Sequence, residues 1–493
     1  MTLDLLRFTT AGSVDDGKST LIGRLLLDSK QILDDQLAAM RAASQRRSGD
    51  DLLDLSLLTD GLRAEREQGI TIDVAYRYFA TPRRRFIIAD VPGHQQYTRN
   101  MVTGASTADL SLVLIDARHG LVEQSRRHAY ISALLGIPEL VVAVNKMDLV
   151  GYERAPFDAI REAFGGFARE LGIAEPTFVP ISALEGDNVV TVSPRMPWYE
   201  GPALLDHLEE VEVPHDHPER EQARFPVQWV IRVGAGDSED RTRDYRGYAG
   251  QLAGGELFPG DEVVVLPCAQ RTRIAAIDTY EGEVARARAP QSVTLRLADD
   301  IDVSRGDLIC RLAGAPTVSR ELEADVCWMS ERPLTAGGRY VIKHTTRSAR
   351  AVVGRLVHRV DVQTLATDSG ASELGLNDIG RVALRTSSEL AFDPYRTNRS
   401  TGSFILIDES SNDTVGAGMI VGPARADPGS PASADRVSAA RADPGRRRAP
   451  TVAWRGLIHG APARADSRRR SESEPGSGER GARNRRTPRE PGQ

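Results

Sequence analysis

The chain runs to 493 residues, of which 40% are hydrophobic and 27% charged, a balance that suits a globular protein of about three ordinary domains and excludes a collagenous or wholly disordered chain. The net charge of −6 is unevenly spread: from residue 423 onward about 16 arginines stand against about 8 acidic residues, so the acidic body before it offers no basic surface of the kind nucleic acid requires. No apolar run approaches the ~20 residues that cross a bilayer, no basic and then apolar leader opens the chain, and Cys268, Cys310 and Cys327 form no C-x-x-C pair; the expectation is a cytoplasmic protein with reduced, partly buried thiols that binds neither membrane nor nucleic acid.

Residues 5–11 read as a strand, followed by a glycine-bounded loop and an amphipathic stretch at 18–27. The rhythm recurs: runs at 85–90, 110–116, 139–145 and 177–182 predict strands, and 123–135 and 155–171 predict helices between them. Near-continuous apolar strands separated by helices imply a parallel-rich sheet with helices on both faces, an α/β domain over 1–212. The polar segment 213–224 breaks the pattern and reads as a linker.

After it come short β runs with glycine turns at 225–232, 246–252, 261–266 and 292–297, and a second such block from 321 to 422. This spacing predicts two all-β barrel domains, 225–320 and 321–422, with the polar stretch 233–244 as an insertion in the first. From 423 to 493 arginine, proline, glycine and serine dominate, and Arg-Ala-Asp-Pro-Gly occurs at both 425–429 and 441–445. Such a tail buries too little apolar surface to offset its conformational entropy and is expected to be disordered; a basic interaction tail is the sharper alternative.

Gly12, Ser13, Val14, Asp15, Asp16, Gly17, Lys18 and Ser19, with Thr20 next, complete a G-x-x-x-x-G-K-S motif between a predicted strand and a predicted helix. Its glycines let consecutive backbone N–H groups turn toward phosphates, and the helix beginning near Lys18 adds its positive end. The Lys18 ammonium would reach the β and γ phosphates, and the Ser19 hydroxyl would coordinate Mg2+.

Asp90, Val91, Pro92, Gly93 and His94 follow the next strand. A carboxylate ending a strand beside the phosphate loop is placed to hold nucleotide-bound Mg2+, usually through water. Gly93 lets a backbone N–H meet the γ phosphate and move when it leaves, and His94 is placed to orient an attacking water. Between these motifs lies Gly69-Ile70-Thr71-Ile72. The Thr71 hydroxyl would join Mg2+ only while the γ phosphate is present, which makes a switch. Ile70 and Val14 would form either an apolar gate before His94 or ordinary core packing.

Asn145, Lys146, Met147 and Asp148 end the strand 139–145. A carboxylate at Asp148 can accept from both N1–H and the 2-amino group of guanine, which adenine lacks, and so discriminates by roughly 10⁴ or more. Asn145 would hold loop and base, the Lys146 stem would lie along the ring, and Ser182, Ala183 and Leu184 could present backbone N–H groups to guanine O6.

In this order the motifs resemble the translation-factor class of P-loop GTPases, with one GTP-binding domain and two β-barrels behind it. Within that class three stretches, 12–24, 60–79 and 96–107, resemble the large subunits of bacterial sulfate adenylyltransferases, and elongation factors usually carry His where Ser13 stands. The likeness continues through 245–250, 302–307 and 404–408 and covers about 3–422. It implies GTP and Mg2+ as ligands and a separate small subunit as partner. ATP and sulfate would act through that subunit, their conversion to adenosine 5′-phosphosulfate and pyrophosphate driven by GTP hydrolysis here. Some relatives carry a C-terminal kinase with its own phosphate loop; these 493 residues hold no second G-x-x-x-x-G-K-[ST], and no kinase activity is expected. The alternatives are a GTPase delivering aminoacyl-tRNA, which shares the nucleotide motifs, and a regulatory GTPase that takes no part in its partner's chemistry.

Overall fold

The computed structural model describes residues 4–30, 55, 73–94, 97–173, 175–212, 222–232 and 245–424. Thr71, Ile70, most of the expected linker, the 233–244 insertion and the tail beyond 424 lie outside them.

The first part is built on a six-stranded sheet. Its elements are β1 (Leu5–Ala11), α1 (Lys18–Asp28), β2 (Ala75–Ala80), β3 (Arg85–Asp90), α2 (Thr98–Ala105), β4 (Leu110–Asp116), α3 (Glu123–Leu134), β5 (Glu139–Asn145), α4 (Arg154–Glu170), β6 (Thr177–Pro180) and α5 (Leu204–Glu210). The strand order is β2-β3-β1-β4-β5-β6. All neighbours are parallel except β2, an antiparallel edge strand with Ala75 opposite Asp90 and Ala80 opposite Arg85.

Apolar side chains leave both faces of this sheet, as a doubly covered parallel sheet requires. On one face Ala11, Val113, Ile115, Val142 and Val144 pack with Met101 and Val102 of α2, Ala129 and Ile131 of α3, and Phe157, Ile160 and Phe164 of α4. On the other, Leu6, Phe8, Leu112, Leu114 and Val141 meet Leu21, Ile22 and Leu25 of α1 and Leu204, Leu205 and Leu208 of α5.

Two closed six-stranded antiparallel barrels follow. In the first, Glu262–Leu266, Leu308–Arg311, Arg224–Arg232, Arg246–Gln251, Ser292–Leu297 and Gln270–Thr279 pair in that order, and the last returns to the first. In the second, Arg339–His344, Ser403–Ile407, Thr414–Pro423, Thr317–Trp328, Ile379–Phe392 and Arg347–Val360 close in the same way. Closure removes the sheet edges, and each interior holds its own core, around Phe225, Tyr248 and Leu295 in one and Trp328, Phe392 and Phe404 in the other. Cys310 and Cys327 are buried and Cys268 is exposed; all three are free thiols. Among the described residues no helix is long and apolar enough to cross a membrane.

The loop joining Ile379–Phe392 to Ser403–Ile407 touches all three parts. Asp393 forms a buried two-bond pair with Arg224 of the first barrel, 2.8 Å on each arm, and also accepts from the Thr401 hydroxyl at 2.6 Å. Asn398 donates to Ala253 O of the first barrel at 3.1 Å. The Tyr395 hydroxyl donates to Leu135 O at the end of α3, at 3.0 Å. The Arg399 guanidinium donates to Ser106 O (3.1 Å) and Ala108 O (3.3 Å), just past the end of α2. The core beneath α3 and α4 is continuous with Met329, Ile379, Tyr395 and Met419 of the second barrel.

Removing one partner of a buried pair leaves the other charge uncompensated, which costs about 3–5 kcal/mol. Asp393→Ala is therefore expected to lower the barrels' calorimetric melting transition markedly. An unchanged thermogram would show that Arg224 finds another partner without cost.

Candidate functional site

In a parallel sheet all strands deliver their C-terminal ends to one edge, and open α/β sheets bind ligands outside that edge. Ala11, Asp90, Asp116 and Asn145 end β1, β3, β4 and β5 there, so the motifs expected from sequence converge although they are far apart in the chain.

The loop 12–17 joins β1 to α1. Asp15 takes a left-handed φ of 66° and Gly17 a φ of 92°; at Gly17 an added Cβ would sit 2.4 Å from Asn145 Nδ2, so the position needs glycine for conformation and for space. The Ser13 N–H donates to the Asp16 carboxylate at 2.5 Å. Lys18 is buried, and its ammonium donates to Gly12 O (2.9 Å) and Ser13 O (2.8 Å). Burial pushes the Lys18 ammonium below its usual pKa, against the pull of Asp90, Asp16 and Asp15. Burial likewise raises the Asp16 carboxyl, opposed by the Ser13 N–H and the Lys18 charge. Ser19 and Thr20 follow in the first turn of α1, and Val14 is exposed.

Asp90 is 1% exposed and accepts from the Thr10 hydroxyl at 3.1 Å across the β1–β3 pairing. Val91 is fully buried and fixes the chain as it leaves the sheet. Past Pro92, the backbone of Gly93 lies directly on the phosphate loop: a Cβ there would be 2.4 Å from Lys18 Nζ and 2.6 Å from Gly12 O. His94 is exposed, its ring edge-on to Tyr97 with centroids 6.3 Å apart.

The other half of the site is tied to the first by hydrogen bonds. Asn145, 2% exposed, donates to Asp16 O at 2.7 Å and accepts from the Ala183 N–H at 2.9 Å. Lys146, with a left-handed φ of 65°, donates to Asp15 O and lies 3.0 Å from the Asp116 carboxylate. Met147 is fully buried beneath the loop, and Asp148 accepts from the Ser182 hydroxyl at 2.7 Å. The Ser182 N–H donates to Asp187 O at 3.1 Å. Of the three backbone donors expected for guanine O6, those of Ser182 and Ala183 are thus already engaged within the protein. The peptide N–H of Leu184 is the one without a partner among the described residues.

Three polar residues here escaped the sequence reading. Thr10 steadies Asp90. Asp116 anchors Lys146 and takes two side-chain bonds from Arg118, at 3.0 and 2.7 Å. Burial alone would raise the Asp116 carboxyl, but the Arg118 bonds and the Lys146 ammonium outweigh it and hold the group well below the usual carboxylate range. Its signal was available, a carboxylate ending a strand of the same parallel set. Arg24 of α1 bonds to the carbonyls of Ala183 and Leu184, and nothing in its spacing announces that.

The donor set suits a magnesium nucleotide. A buried cation and a glycine-lined cradle meet at Lys18 and Gly93, and Ser19 and Asp90 offer hard oxygens that could ligate an ion. Among the described residues no group of three or more His, Cys, Asp or Glu side chains comes together. An ion here would complete its shell with phosphate oxygens and water, as magnesium does.

The family model of the elongation factor Tu GTP binding domain matches residues 3–213, and that of the GTP-eEF1A C-terminal domain-like family matches 321–421. The bifunctional enzyme CysN/CysC of Mycobacterium tuberculosis is 56% identical over 454 residues, 92% of this chain and 73% of that protein. Sulfate adenylyltransferase subunit 1 of Alteromonas mediterranea is 50% identical over 419 residues, 85% of this chain and 87% of that protein. Its counterpart in Shewanella woodyi is 51% identical over 421 residues, 85% and 87% of the two chains.

Gly17→Ala forces a left-handed alanine and a contact with the Asn145 amide. Strain of about 1–3 kcal/mol at such a position, added to that contact, is expected to weaken nucleotide binding about 10²-fold in an equilibrium titration. An unchanged affinity would mean that Asn145 moves aside freely.

Proposed function

The chain belongs to the family of sulfate adenylyltransferase large subunits, and from that premise we propose that it binds and hydrolyses GTP to drive sulfate activation. On this reading the chain, joined to a separate small subunit, couples GTP + H2O → GDP + phosphate to ATP + sulfate → adenosine 5′-phosphosulfate + pyrophosphate. The cytoplasm, where both nucleotides are held, is the compartment the reaction requires. The observation that carries the nucleotide half is the convergence of Lys18, Asp90, Gly93 and Asp148 on one sheet edge, braced by Asn145. The identity of 50–56% over most of the chain supports the metabolic half. That extent of likeness favours sulfate activation over aminoacyl-tRNA delivery.

The residues divide the work as follows. The backbone from Gly12 through Gly17 and the Lys18 ammonium take the phosphates; Lys18 exchanges its bonds to Gly12 O and Ser13 O for phosphate oxygens. Charge that builds on the transferring phosphoryl group is met by Lys18 and by the Gly93 N–H, the electrostatic stabilisation on which phosphoryl transfer rests. Ser19, Thr71 and Asp90 would hold Mg2+, which supplies charge neutralisation across the phosphates when bound. His94, exposed beside the loop, orients the attacking water. Asp148 accepts from guanine N1–H and the 2-amino group, while its other bond, from Ser182, fixes its rotamer. The Lys146 stem covers one face of the base, and the Leu184 N–H is the donor for O6. The small subunit carries the adenylyl-transfer chemistry.

Product formation from ATP and sulfate by this chain with its small subunit is expected to depend on GTP, with phosphate released in step. Hydrolysis of GTP without any adenosine phosphosulfate would bring the translation reading forward, and product yield indifferent to GTP would favour a purely regulatory GTPase. His94→Ala is expected to slow hydrolysis by about 10²-fold with affinity retained; a collapse of binding would make His94 structural. Asp148→Asn is expected to move preference from GTP to xanthosine triphosphate, because the amide can donate where the carboxylate accepted. Retained guanine selectivity would remove Asp148 from the base site.

A further inference from the structure

Helix α1 starts at the phosphate end of the site, with Lys18 and Ser19 in its first turn. Less than two turns later Arg24 leaves the same helix toward the base loop. Its Nε donates to Ala183 O at 3.2 Å, and an arm of the guanidinium donates to Leu184 O. The other arm lies 3.7 Å from Asp28, one turn further along. The side chain is four-fifths covered, and its atoms would lie 3.6–3.7 Å from a Cβ at Gly186, where the loop turns with a φ of 87°.

The rest of the loop is held from within. Ala183 N–H goes to Asn145, Glu185 N–H to the Ser182 hydroxyl at 3.2 Å, and Gly186 N–H to Ser182 O at 2.8 Å. The two carbonyls facing Arg24 are therefore held from outside the loop. A trans peptide is planar, with its N–H directed opposite its C=O. Fixing Ala183 C=O on Arg24 thus aims the Leu184 N–H to the side away from the guanidinium, and that N–H is the donor without a partner among the described residues.

We propose that Arg24 is a positioning residue for base recognition. Its bond to Ala183 O orients the Ala183–Leu184 peptide and its bond to Leu184 O holds the next one, so that the Leu184 N–H between them is presented to guanine O6, and together they tie the base loop to the helix that carries the phosphate ligands. The planar fork matters, since a lysine at this point can reach one carbonyl as a single point donor but cannot hold two successive carbonyls in a fixed geometry. This inference rests on the guanine-site reading above.

The test compares equilibrium binding of GTP, 6-thio-GTP and inosine triphosphate to the full-length chain and its Arg24→Ala and Arg24→Lys variants. In 6-thio-GTP both groups facing Asp148 are kept and the O6 acceptor is weakened; inosine triphosphate keeps O6 and loses the 2-amino group. Arg24→Ala is expected to weaken GTP about 10-fold, the scale of one hydrogen bond, and to narrow the GTP to 6-thio-GTP ratio while leaving the GTP to inosine triphosphate ratio unchanged. Arg24→Lys should recover part of the lost ratio, and it serves alone if the alanine variant does not fold. An equal loss for all three nucleotides, or no change in the 6-thio ratio, overturns the proposal and leaves the guanine site standing. Failure of the unaltered chain to discriminate GTP from inosine triphosphate would instead overturn the guanine-site reading beneath it.

Discussion

A single buried carboxamide holds the nucleotide site together. Asn145 donates to the phosphate loop at Asp16 O and accepts from the base loop at Ala183, so one buried side chain bonds to both halves of the site. Its position explains the glycine at 17, whose missing side chain leaves the space the Asn145 amide occupies. It also explains why two residues with side chains, Asp15 and Lys146, accept left-handed backbone. Each turn bends toward the other, and Lys146 closes the gap by donating to Asp15 O while Asp116 neutralises it. Strain at both loops persists because the Asn145 bonds and the ion pair over-determine it.

The barrels are joined to this site through the loop 393–402. Within it Asp393 binds the first barrel, Tyr395 the end of α3, and Arg399 the carbonyls just beyond α2. Helix α2 begins at Thr98, four residues after His94, where on the proposed reading the γ phosphate would be sensed. Any displacement of α2 must therefore stretch the Arg399 bonds or carry the loop with it, and the loop cannot move alone while Asp393 stays paired with Arg224. Packed interfaces of this kind change between discrete arrangements rather than deforming smoothly, so a shift of α2 at the phosphate end would be passed on to the barrels through these contacts.

How much of this was legible in the sequence depended on whether the information was local. The strands that end in Asp90, Asp116 and Asn145 were read with the bounds the structure gives them, because unbroken apolar runs and the motif residues after them punctuate the chain. Strand β2 was not read: it sits at the sheet edge with Tyr76 and Tyr78 exposed, and its alternation lacks the apolar continuity that marked its neighbours. The Asp393–Arg224 pair joins residues 169 apart and has no signature at either end. Arg24 lay inside a recognised motif stretch and still passed unnoticed, since its partners are backbone carbonyls, which leave no trace in side-chain spacing. The backbone donors of the base loop were over-counted for the same reason, since Asn145 and Asp187 O claim two of the three.

Lys18 shows why the site calls for an anion. Its ammonium is buried, its charged form is disfavoured by that burial, and its hydrogen bonds go to two neutral carbonyls of its own loop. The carboxylates of Asp90, Asp16 and Asp15 lend it charge from nearby. A buried cation in this state gains more from a phosphate oxygen than an exposed one would, because the desolvation cost has already been met in folding. The same carboxylates would repel a bare triphosphate, so on the proposed reading a divalent cation that offsets the charge of Asp90 would favour the nucleotide. On the proposed reading, selection for a magnesium nucleotide would arise from the balance of charges around one lysine, while selection for the base would arise some distance away, at Asp148 and the peptide that Arg24 holds.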